Sequence, residues 1–154
     1  MSNPSPAEPR SRARRRSDTE YRLTHDEDLW VATASDDGMP YLVPLSFHWD
    51  GEALLLSTLA DSPTGRNLAA NHGIRLGLGG TRDVYMIDGE VEVLKIDALP
   101  QEQGDRFVAH TGFDPRAYDA AYSWFRILPR RIQAWRESNE IAGREVMRDG
   151  RWLA

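Results

Sequence analysis

Hydrophobic and polar positions alternate in short runs through most of the chain, and turn residues separate the runs. LWVATAS (29–35), PYLVPLSFHW (40–49), EALLLST (52–58) and IRLGLG (74–79) read as strands, as do RDVYMI (82–87) and EVEVLKI (90–96). Four Asp-Gly pairs punctuate them: Asp37-Gly38, Asp50-Gly51, Asp88-Gly89 and Asp149-Gly150. Asp-Gly tolerates the positive φ of a tight hairpin turn. The third pair has two readings, a hairpin or one long strand bent at Asp88-Gly89. SWFRILPRRIQAWRE (123–137) reads as strand interrupted at Pro129, with Ile132 and Ala134 on one face and Gln133 and Trp135 on the other. The last segment, REVMRDGRWLA, fits another hairpin.

Two stretches break the strand pattern. In SPTGRNLAANHG (62–73), Ser62 suits an N-cap, Pro63 a first helical turn and Gly73 a stop. Residues 100–122 form a second helical region, with Pro115 starting its second half. Consecutive strands joined by short turns favour an antiparallel barrel over a parallel sheet, so the expected class is mainly β with helical excursions.

The chain has 154 residues, enough for one domain with its own core. It has no Cys, which removes disulfides, thiolate metal sites and Cys nucleophiles. No apolar run reaches the ~20 residues of a membrane span, and no secretory signal opens the chain. A cytoplasmic location is the resulting expectation. Residues 1–16 carry five Arg and one Glu, a net of +4, which leaves −9 on the rest of a chain whose total is −5. Residues 1–20 are therefore expected to be a disordered basic tail and 21–154 the folded domain. The acidic body argues against a broad nucleic-acid footprint.

Candidate chemistry is sparse. His25, His48, His72 and His110 show no metal-ligand spacing. LGLGGTRD has Gly77, Gly79 and Gly80 but lacks the third glycine of a dinucleotide fingerprint, so these glycines are expected to admit a close backbone or ligand. SPTGRN is different. Ser62, Thr64, Arg66 and Asn67 at a helix N-terminus either cap the helix or hold a phosphate. Tyr118, Tyr122, Trp124, Phe125, Trp135 and Trp152 interleave with arginines, a pattern that suits a flat anionic ligand or a subunit interface.

The order of these marks resembles the pyridoxamine 5′-phosphate oxidase-like family of FMN-binding split barrels. They are a strand with Ala-Thr, a DG turn, Pro40 and Pro44 on the next strand, and a WDG turn. A strand ending Ser57-Thr58, a helix opening Ser-x-x-x-Arg-Asn-Leu and the closing RIQAWRESNEIAGREVMRDGRWL complete the set. The resemblance covers roughly residues 23–154. It implies a split β-barrel homodimer with cofactor sites between subunits, binding FMN, a deazaflavin coenzyme, FAD or haem, and in part oxidoreductase activity on a small molecule. It implies the phosphate at Ser62, Thr64, Arg66 and Asn67, with Ser57 and Thr58 near it. Backbone from Leu45 and Ser46 would meet the ring, and Trp135 and Arg144 would reach it from the C-terminal segment. FMN is the first expectation and deazaflavin the alternative, while haem lacks a supporting His. This chain also departs from the vitamin B6 oxidases. YLVPLSFHW lacks their Arg and Lys, Thr64 stands where they have Lys, and SNEIAGR lacks their substrate-holding Arg and His. Vitamin B6 is thus not the expected substrate. A non-catalytic carrier on the same fold is the alternative function. No catalytic acid or base is assignable; His48 and Tyr85 are candidates by chemistry only.

Overall fold

The computed structural model describes residues 4–5, 7–71 and 73–154. Eight strands and three helices follow one another as α1 (Arg12–His25), β1 (Asp28–Ala34), β2 (Pro40–Trp49), β3 (Leu54–Leu59), α2 (Pro63–Ala70), β4 (Gly73–Leu78), β5 (Val84–Lys95), α3 (Gln101–Thr111), β6 (Tyr122–Trp135), β7 (Glu145–Arg148) and β8 (Arg151–Trp152). The sheet order is β3-β2-β1-β4-β5-β6-β7-β8, and β3 also pairs β6. That extra pairing closes a six-stranded antiparallel barrel, so the split-barrel expectation holds.

Closure depends on β6. Its first half pairs β3, from Leu59↔Tyr122 to Leu54↔Ile127, while β5 runs along its other edge from Ser123 to Trp135. Beyond the end of β3, the free edge of β6 takes β7 at Ile132 and Gln133. Residues Asp88 and Gly89 oppose Arg131 and Pro129, which leaves Arg130 as the extra residue of a bulge. The Asp88-Gly89 pair is therefore a bend within one strand. A side chain at Gly89 would meet Leu128 O at 2.8 Å and Ile127 Cγ2 at 2.7 Å. Pro129 does not interrupt β6, because it sits at the bulge, where an absent N–H costs least. The other three Asp-Gly pairs are turns, with Gly38, Gly51 and Gly150 all at positive φ.

Leu54, Leu56, Phe47, Leu76, Ile87, Ile127 and Ile132 fill the barrel. A second cluster, Leu55, Leu99, Phe107 and Trp124, lies outside it under α3. Strand β3 is thus covered on both faces, which is why LLL is continuous in the sequence. Phe107 and Trp124 meet edge to face at 5.2 Å, a geometry that adds about 0.5–1.5 kcal/mol to their area burial.

Three expectations change. From Arg12 onward the segment read as a disordered tail is a helix, capped by Ser11, whose side chain accepts from Arg14 N. Its pairs Arg14–Asp18, Arg16–Glu20 and Arg22–Asp26 sit four residues apart, and Arg15, Thr19 and Leu23 are buried against the barrel. Residues 1–3 and 6 of that tail lie outside the described residues. The second helical region ends at Thr111, where Gly112 adopts φ +76, and Pro115 opens only a single 3-10 turn. Gly73 is not the stop of α2. The helix ends at Ala70, Asn71 N donates to Asn67 O, and Gly73 begins β4.

Candidate functional site

Strands β2 and β3 pair only from Phe47↔Leu56 to Trp49↔Leu54. Continuing that register would set Ser46 against Ser57 and Leu45 against Thr58, and there the strands part. Each lip keeps its other neighbour: Leu45 and Ser46 pair β1, while Ser57 and Thr58 pair β6. Between the lips lies a cavity of about 460 Å³ lined by Leu45, Ser46, Ser57 and Thr58. Four residues expected at the site therefore meet in one place. Of the others, Tyr122 was among the aromatics the sequence singled out for a flat ligand and Pro44 among the motif marks, while Asp28, Phe107 and Phe113 had no sequence signal. Asp28 and Pro44 complete the polar and apolar rim, and Phe107, Phe113 and Tyr122 supply an aromatic wall.

The wall is organised. Phe113 and Tyr122 rings lie 5.5 Å apart at 64°, and Tyr118 stands 5.5 Å from Phe113. The hydroxyls are oriented as well. Ser46 Oγ donates to Asp28 Oδ1 at 2.7 Å, and Ser57 Oγ donates to Ser123 O at 2.8 Å. Both oxygens keep lone pairs to accept from a ligand N–H.

Three residues, Ala60 to Ser62, separate helix α2 from the end of β3. Ser62 Oγ accepts from Gly65 N at 3.0 Å and donates to Leu59 O at 2.7 Å, so its one proton is engaged in the cap. Thr64 is only 2% exposed. Asn67 Nδ2 donates to Thr33 Oγ1 at 3.1 Å, which ties α2 to β1. Arg66 is exposed and forms no ion pair among the described residues. Of the four polar residues in SPTGRN, Arg66 carries the charge available to an anion.

Trp135 and Arg144 come together, with the Arg144 guanidinium 5.9 Å from the Trp135 ring. Arg144 Nε donates to Gln133 Oε1 at 2.7 Å, and Gln133 itself is buried. This pair sits at the Trp135 end of β6 and the cavity at the Tyr122 end, separated by about 40 Å of strand. One chain does not bring the ten expected residues into one site. The other aromatics of the C-terminal third divide by role. Trp124 and Phe125 are core, and Trp152 lies under the Arg16 guanidinium at 4.8 Å.

Neither sequence-level acid–base candidate faces the cavity. Tyr85 is 1% exposed, with its hydroxyl 3.4 Å from Arg10 Nη1, and burial raises its pKa. His48 stands 5.5 Å from His110 in the contact of β2 with α3, and burial lowers its pKa, with smaller contributions from its neighbours His110 and Arg106. His72 lies outside the described residues. Among the described residues no cluster of His, Asp or Glu fits a metal ion, and no helix is long and apolar enough to cross a membrane.

The outer face of β1 and β2 beside the cavity is apolar. Trp30 is 52% exposed and Leu42 60%, and Trp30 registers against Pro44 on β2 and Gly77 on β4. Met39, in the preceding turn, extends this face.

Solved structures share the architecture. An F420 reductase is 23% identical, with a TM-score of 0.59 over 73% of this chain and 94% of that one. An FAD-binding protein from Mesorhizobium loti is 21% identical, with a TM-score of 0.62 over 81% and 92%. General stress protein 26 from Bacillus anthracis is 15% identical, with a TM-score of 0.56 over 77% and 92%. At these identities the likeness is one of fold. No match is found among curated proteins. The family model described as pyridoxamine 5′-phosphate oxidase matches residues 20–136, from the last turns of α1 to just past the end of β6. That span takes in both lips of the cavity, helix α2 and the closing strand pair, and the chain belongs to the pyridoxamine 5′-phosphate oxidase family.

Proposed function

We propose that this protein is a flavin-dependent oxidoreductase that acts on a small molecule other than vitamin B6, with FMN as the cofactor and a deazaflavin as the alternative. The observation that carries the reading is the cavity between the parted strands β2 and β3. Its donor set fits a planar heteroaromatic ring. Strand lips released from the ladder offer backbone groups, Ser46 and Ser57 offer oriented acceptors, and the aromatic wall offers a stacking surface. When bound, a flavin supplies hydride transfer. The chain's own residues hold and orient it: Leu45, Ser46, Ser57 and Thr58 at the cavity, and Arg66 with Asn67 toward the phosphate.

Trp135 and Arg144 join such a site only from a second copy. The open apolar face of Trp30, Leu42 and Met39, beside the cavity, supports a homodimer. Leu42→Arg is expected to give monomers that have lost most of their flavin affinity, read by analytical ultracentrifugation and fluorescence titration. A monomer that binds flavin as well as the parent protein would remove the shared site.

The primary test is the absorbance spectrum of the purified protein, with mass spectrometry of whatever denaturation releases and titration with FMN and deazaflavin. A bound or micromolar-binding flavin is the expected result. A colourless protein that binds neither would overturn the reading. Turnover with a reduced cofactor and an electron acceptor separates an oxidoreductase from a carrier.

A further inference from the structure

At the Trp135 end of β6, four arginines surround a surface hollow of about 220 Å³. Arg12 comes from α1, Arg131 from β6, Arg144 from the turn before β7, and Arg148 from β7 itself. One carboxylate faces them, and it is shared. Glu145 accepts from Arg131 Nε at 2.7 Å and from Arg148 Nη2 at 2.5 Å. Arg148 first, then Arg131, holds its pKa down to about 2, so it is ionised at neutral pH. Arg144 is braced without being neutralised, since its Nη1 donates to the Ile141 carbonyl at 3.0 Å. Arg12 has no ion-pair partner among the described residues. It is also the first residue of α1, a 14-residue helix with no acidic residue in its first turn, so the helix end adds positive potential. Behind the hollow, buried Arg15 donates to Gly143 O at 2.8 Å, and its Nε has no partner.

Like charges so close repel one another, and the hollow carries a clear excess of positive charge in a chain whose net charge is −5. We propose that this hollow binds a compact polyanion, a multiply charged phosphate or carboxylate group on a small molecule. Guanidinium forks suit both groups through paired N–H donors. The small volume and the acidic body favour a small molecule over a nucleic-acid backbone. Arg144 is also the residue that the proposed flavin site would take from a second copy, whereas Arg12, Arg131 and Arg148 belong to the hollow alone, so anion binding that responds to Arg12→Gln in flavin-free protein is separable from the flavin reading.

The test is calorimetric titration of the full-length protein with inorganic pyrophosphate, and separately with tricarballylate, at ionic strength matched with chloride. Saturable binding is expected, and the stronger of the two probes tells phosphate from carboxylate ligands. Arg12→Gln breaks no ion pair and is expected to weaken binding by about tenfold or more, the effect of one lost charge-assisted hydrogen bond. In the parent protein, side-chain Nε–Hε resonances of Arg12, Arg131 and Arg144 should shift along the same isotherm. Arg82→Gln, at an exposed arginine outside both sites, should leave the affinity unchanged. Absence of saturable binding by either probe overturns the proposal, and so does pyrophosphate binding that Arg12→Gln spares.

Discussion

Replacing Glu140 with Ala is expected to lower the stability of this protein by about 3–5 kcal/mol, the range for removing one partner of a buried ion pair. The Glu140 side chain is 3% exposed and that of Arg10 is 10% exposed. The pair is bidentate, with Arg10 Nε donating to Oε2 at 3.0 Å and Nη2 to Oε1 at 2.8 Å. The same carboxylate accepts from two backbone amides, Arg10 N at 2.7 Å and Arg136 N at 2.8 Å. Alanine would leave a buried guanidinium and both amides without their acceptor. Arg10 keeps Asp18 at 2.9 Å, so part of its charge stays compensated. Glu140→Gln, which retains one acceptor oxygen, should cost less. Chemical denaturation with urea measures the difference, and a loss below about 1 kcal/mol for Glu140→Ala would contradict the pairing.

The same carboxylate sets a pH dependence. Its hydrogen bonds with Arg10 lower its pKa from 4.5 to about 2, against the opposing effect of burial. A depressed acid stabilises the folded state fully above its unfolded pKa, and that contribution fades as pH falls through the folded value. Stability should therefore decline between about pH 4.5 and pH 2, and in Glu140→Gln this component of the decline should be absent.

Gly65→Ala is expected to be the second large loss, about 3 kcal/mol, at the upper end of overpacking costs. A Cβ at residue 65 would lie 2.4 Å from Leu59 O and 2.7 Å from Ala60 O. Both obstacles are backbone, fixed by the end of β3, so no side chain can rotate away. Relief requires α2 to move off the strand, which pulls Gly65 N from the Ser62 cap and disturbs Thr58 on the cavity lip. Thermal melting and flavin titration should report the loss together. Gly80→Ala is the control, because a Cβ there meets nothing within 4 Å and its φ is not in the left-handed region. Equal melting temperatures for the two variants would sink the account.

The strands were legible because their signals are local. Asp37-Gly38 and Asp50-Gly51 mark tight turns by the φ they tolerate, and alternation marks the barrel face. Asp88-Gly89 has the same letters and a different role, since only Pro129 across the strand pair shows that a bulge falls there. The helix at Arg12 was hidden by counting charge instead of spacing it. The i,i+4 partners Asp18, Glu20 and Asp26 were present in the sequence, but Glu140, which anchors Arg10 from 130 residues away, has no local signature. The candidate site divides likewise. Leu45, Ser46, Ser57 and Thr58 follow from motif order, whereas Asp28, Phe107 and Phe113 reach the cavity only through tertiary packing. Ser62 illustrates a real ambiguity, because capping and anion binding call for the same hydroxyl and only the Leu59 carbonyl shows where its proton points.

The doubly shared strand β6 also governs how the chain folds. Its edge is filled by β3 from far upstream, as in Leu54↔Ile127, and by β7 from just downstream, as in Ile132↔Met147. The first pairing closes a loop of more than 60 residues, from Leu59 to Tyr122, while the second closes a short one, so the β6–β7 contact can form early and cheaply in chain entropy. Barrel closure then becomes the slow step, in the millisecond-to-second range typical of topologies dominated by distant pairings. The cavity exists only once β3 has docked on β6 while still held by β2. A cavity ligand would thus recognise the closed chain and not its precursors, slowing unfolding more than it speeds folding.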